Sequence, residues 1–84
     1  MRSYTFRVFL NETAHGETHH RELGAYENLE SPPWIPPVGS FFRFRDPYPP
    51  NKAYDHVEKK GRVKDIVTCF YGTRTVIEVY LDPC

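Results

Sequence analysis

Cysteine is scarce in this 84-residue sequence, where Cys69 and Cys84 are the only two. A single pair does not make the dense disulfide framework by which small secreted domains reinforce a thin core. Both thiols are therefore read as reduced, with Cys69 inside a strand pattern and Cys84 at the exposed end. Long apolar runs are also lacking. Nothing approaches the roughly 18 consecutive apolar residues of a transmembrane helix. The opening Met-Arg-Ser-Tyr does not lead into the apolar stretch of a signal peptide, so a cytoplasmic protein without membrane contact is expected. Neither charge sign is in excess, since eleven basic residues balance eleven acidic ones. Strong nonspecific attraction to nucleic acid or anionic lipid needs a larger positive field. The glycine fingerprints of nucleotide sites and the HExxH zinc motif are missing too.

Eight prolines and five glycines break up what remains and favour shaped loops. The length implies one domain over residues 1–84, hiding only about 60–65% of its extended surface. Aromatic residues at 15% offset a hydrophobic content of 39%, because each ring buries roughly 150–250 Å².

Four runs read as strands: Ser3–Asn11, Val38–Arg45, Val63–Tyr71 and Thr75–Leu81. Tyr4, Phe6, Val8 and Leu10 alternate with Thr5, Arg7, Phe9 and Asn11, so one face is apolar. Thr75, Ile77, Val79 and Leu81 point inward in the same way, and Gly72-Thr73-Arg74 joins the last two runs as a hairpin. Val63 stays in phase with Ile66, Thr68 and Phe70 only if one extra residue sits near Lys64 or Asp65, a bulge signal. Gly61 is read as a bend or bulge before it.

Residues 12–37 read as a long acidic connection. Its Glu12, Glu17, Glu22, Glu27 and Glu30 face a single Arg21 through residue 30. Thr18 is placed to cap a short helix over His19–Leu29, with Glu22, Leu23, Tyr26 and Leu29 on one side. Gly24 weakens that helix by about 1 kcal/mol relative to alanine. The run Pro32-Pro33-Trp34-Ile35-Pro36-Pro37 must be extended. Packed, it would plug one end of a barrel with Trp34 and Ile35. Exposed, it would be a docking element with little conformational freedom to lose. Packing is the expectation, because so small a domain has little apolar surface to spare.

The expected fold is mostly β: a strongly bent antiparallel sheet or barrel of four to five strands, with the 12–37 connection packed across one opening. From Val38-Gly39 through Gly61-Arg62-Val63 to the glycine-turn hairpin, the layout resembles SH3-like small barrels. That resemblance implies a binding or accessory module without naming its ligand.

The functional expectation is a noncatalytic protein–protein interaction module with an unidentified protein partner and no cofactor. Tyr26, Trp34, Tyr48, Tyr54 and Tyr80 are the contact residues, since these rings offer large area at modest ordering cost. A homodimer through outward Phe9, Phe41 and Val76 is a variant. The alternative is a nucleic-acid-binding barrel using Arg43, Arg45, Lys59, Lys60, Arg62 and Lys64, with rings and cations interleaved in Phe41-Phe42-Arg43-Phe44-Arg45. A third reading is a hydrolase-like or metal-binding protein. It would pair Cys69 with a histidine, or gather His15, His19 and His20, but spacing supplies neither an acid to orient the histidine nor four zinc ligands. Catalytic and metal residues are accordingly assigned to none.

Overall fold

The computed structural model describes residues 2–46 and 57–84, and these form one five-stranded sheet. The strands are β1 (Ser3–Ala14), β2 (Glu17–Leu29), β3 (Phe41–Asp46), β4 (Val57–Tyr71) and β5 (Arg74–Pro83). Their order across the sheet is β2-β1-β5-β4-β3. The central pair, β1 and β5, runs parallel, with Tyr4 opposite Thr75, Phe6 opposite Ile77, Val8 opposite Val79 and Leu10 opposite Leu81. All other neighbours are antiparallel. The sheet is therefore mixed rather than antiparallel. Parallel neighbours need a long crossover, and here everything between β1 and β5 supplies it.

The connection expected over residues 12–37 is mostly strand. β1 continues to Ala14, turns at His15-Gly16 and returns as β2, and no helix occurs among the described residues. Both turn residues have positive φ, 54° at His15 and 78° at Gly16, the backbone a two-residue hairpin loop requires. The apparent helical stripe has a different cause. Register slips in the β1–β2 ladder between Tyr4 and Phe6 and between Val8 and Phe9, so that β2 carries extra residues. Phe9 faces Glu22 while Val8 faces Gly24, leaving Leu23 between them, and Tyr26 and Leu29 face Phe6 and Tyr4. Bulges thus stretch the two-residue strand period to three, which imitates one side of a helix. Asn28, at φ 56°, sits in the irregularity opposite Tyr4 to Phe6.

The bulge read near Lys64 is present, between Val63 and Asp65. Gly61 is not a bulge. It pairs regularly with Phe42 and Pro83. A Cβ there would lie 3.1 Å from the Asp82 carbonyl oxygen and 3.1 Å from Leu81 Cβ, so close backbone approach explains the glycine.

Among the described residues the core is a cluster of Phe6, Val8, Leu10, Val63, Ile77, Val79 and Leu81 on the concave face. Leu23 and Leu29 of β2 pack on it from one side, and Phe42 and Phe44 of β3 from the other. The bulges thus coil the sheet until its two outermost strands reach the same core. They do not pair with each other, and the barrel stays open.

The strap over residues 31–40 joins β2 to β3. Pro36 is buried and Ile35 packs on the core. Gly39, at φ 92°, closes a turn in which Ser40 N–H donates to the Pro37 carbonyl (3.1 Å). Gly39 N–H then donates to the Val63 carbonyl (2.8 Å) and Val63 N–H to that of Ser40 (2.9 Å), tying the strap to β4.

Leu81 is completely buried and lies against Gly61 of β4, whose missing side chain admits β5. Leu81→Ala is expected to lower unfolding free energy by about 2–5 kcal/mol. Gly61→Ala is expected to cost on the order of 1–3 kcal/mol, because the groups it meets belong to a central strand that cannot give way. Urea denaturation of both variants measures this, and an unchanged midpoint for Leu81→Ala would place the core elsewhere.

Candidate interaction surface

The convex face carries the polar chemistry. Register aligns His20 with Asn11 and Arg62 with both Asp82 and Phe41. Asn11 Nδ2 donates to Asp82 Oδ1 (3.0 Å), which links the two halves into one row across all five strands. His20 Nδ1 lies 2.6 Å from Asn11 Oδ1. Because the Asn11 amide nitrogen already serves the carboxylate, its oxygen accepts, so His20 Nδ1 carries the hydrogen and Nε2 is left as the other ring nitrogen. Asn11 is buried, and this pairing satisfies both ends of its amide.

Beside this row, Tyr80 stacks on Phe9 with ring centroids 5.1 Å apart, and His20 meets Tyr80 edge-on at 4.9 Å. Burial, helped by the neighbouring Glu78 carboxylate, raises the Tyr80 phenol above its ordinary value of 10.0. Tyr80 is thus neutral at physiological pH and half-buried, a structural ring more than an open contact. The apolar patch expected from Phe9, Phe41 and Val76 does not form. Val76 is buried, Phe9 is covered by Tyr80, and Phe41 stands on the far β3 edge.

Of the expected contact residues, Tyr26 is 62% exposed and Trp34 77% exposed. The packed plug expected of Trp34 is therefore not formed; Ile35 and Pro36 take the inward positions. Tyr48 and Tyr54 lie outside the described residues.

The cationic residues are only partly brought together. Arg43 faces Lys60, Arg45 faces Glu58 and Phe41 faces Arg62, so Arg43, Arg45, Lys60 and Arg62 share the convex face. Lys60 Nζ lies 4.5 Å and the Arg62 guanidinium carbon 5.0 Å from the Phe41 ring centroid. Lys59 is opposite Phe44 on the other face, and Lys64 sits in the β4 bulge. Glu58, 3.7 Å from Arg43, dilutes the patch.

Among the described residues the thiol reading is not assembled. Cys69 is opposite Val76, whereas His20 belongs to the row of Asp82, about 20 Å farther along β5 at roughly 3.3 Å per residue. Among the described residues, no three His, Cys, Asp or Glu side chains converge as metal ligands. No helix of the described residues is long and apolar enough to cross a membrane. The His20–Asn11–Asp82 row was missed by sequence reasoning. Its only trace was Asn11 in the strand's polar phase, because pairing partners are not visible before register is known.

No family model, curated protein or solved structure matches the chain.

Removing the Asn11 amide while leaving Asp82 and His20 in place strands two polar groups. Asn11→Leu is expected to cost about 1–3 kcal/mol. In the unaltered protein, nitrogen chemical shifts should show His20 protonated at Nδ1, and neutral His20 carrying its proton on Nε2 would contradict the row.

Proposed function

We propose that the protein is a noncatalytic interaction module that presents Trp34, with Tyr26 as a second contact, to a protein partner. The observation that supports this is the contrast along the strap. Trp34 is 77% exposed, whereas Pro33 and Ile35 are half-buried and Pro36 is buried. Its neighbours are held down, and the turn at Pro37–Ser40 is bonded to β4. The indole is therefore offered on a stiff support, and docking has little backbone freedom to remove. Covering its exposed area would contribute roughly 3–5 kcal/mol of gross transfer free energy, enough for one anchor of an interface.

A second reading, nucleic-acid binding, is favoured by the grouping of Arg43, Lys60 and Arg62 around Phe41, which is 52% exposed. Overall neutrality and Glu58 weigh against it.

Because Trp34 is exposed, Trp34→Ala should change stability by less than about 0.5 kcal/mol. Its affinity for a partner captured from native lysate and then purified should fall at least about tenfold, or roughly 1.4 kcal/mol. Equal affinity of the variant would remove the proposal. Salt-dependent binding to mixed oligonucleotides, lost in Arg62→Ala, would establish the second reading instead.

A further inference from the structure

The two outer edges of the sheet are complementary to each other. On the convex face, register gives β2 the acid Glu22, which also lies 3.3 Å from Arg7, with exposed Glu27 in the irregularity beyond Tyr26, whereas β3 shows Arg43, 3.7 Å from Glu58, and Arg45. On the concave face β2 contributes Leu23 and β3 contributes Phe42 and Phe44, all packed on the same core, and Tyr26 lies against Phe6. The strands also run in opposite directions, because β2 is antiparallel to β1, β1 is parallel to β5, and two antiparallel steps lead from β5 to β3. Yet within one chain they do not pair. A cleft of about 270 Å³ separates them, with Leu23, Gly24 and Tyr26 on one wall, Phe42 to Arg45 on the other and Val8 at its floor.

We propose that a second copy of this chain satisfies both edges, β2 of each copy pairing with β3 of the other around a two-fold axis. The pairing is antiparallel and places apolar side chains inward, with Glu22 and Glu27 near Arg43 and Arg45 outward. A two-fold arrangement uses the two edges of each copy once, so the product is a closed ten-stranded ring rather than a growing filament. Among the described residues neither outer edge is paired, which favours such addition, and β2 is a 13-residue strand without proline. Opposite charges then select β2-to-β3 pairing over β2-to-β2, where Glu would meet Glu. This inference does not use Trp34; it shares Tyr26 with the reading above, and its test leaves both rings unaltered, so failure of one is distinguishable from failure of the other.

The test is sedimentation equilibrium over a concentration series, with circular dichroism as the folding control. The unaltered chain should show twice the monomer mass. The variant Glu22→Arg/Glu27→Arg and the variant Arg43→Glu/Arg45→Glu should each stay folded, since all four side chains are exposed, and each should lose at least tenfold in dimer affinity. Mixed in equal amounts, they should associate again, because both seams of the mixed pair regain opposite charges. A monomeric unaltered chain would overturn the proposal. So would a dimer that neither reversal weakens, or reversed variants that fail to recover on mixing.

Discussion

The parallel pairing of β1 with β5 is the constraint on which the other strands depend. It sets Phe6, Val8 and Leu10 beside Ile77, Val79 and Leu81, the deepest part of the core. Hydrophobic burial in a chain of this size is limited, and most of it is concentrated in these two strands. The antiparallel partners then attach outward, β2 to β1 and β4 to β5, with β3 beyond β4. Shifting the central register by one residue would turn the apolar set to the convex side and break the contact between Asn11 and Asp82.

Strand identity was legible where alternation is strict. Thr75, Ile77, Val79 and Leu81 are buried as their period implies, and so are Phe6, Val8 and Leu10. The β4 bulge was legible because the phase of Val63 against Ile66 breaks without a compensating turn. β2 was not legible, because its bulges replaced the two-residue period with spacings of three. His-Gly is also a weaker turn signal than Asn-Gly, although both residues adopt the positive φ needed. The parallel centre was hidden for another reason: pairing between the first and last strands is a tertiary fact that no local pattern carries.

The surface shows a similar division. Tyr26 and Trp34 could be named from residue type, but whether Trp34 packs depended on which strap residues fit the core. Ile35 and Pro36 took those places. Cations scattered over residues 43 to 64 were sorted by register into a convex group around Phe41, with Lys59 on the opposite face. The convex row from His20 to Phe41 follows the same register.

The central pairing is tested most directly by nuclear Overhauser contacts and amide exchange in the uniformly labelled protein. Parallel registry predicts backbone contacts linking Phe6 with Ile77 and Val8 with Val79, and the slowest exchange in β1 and β5. An antiparallel contact pattern between these strands, or rapid exchange throughout β1, would contradict the account.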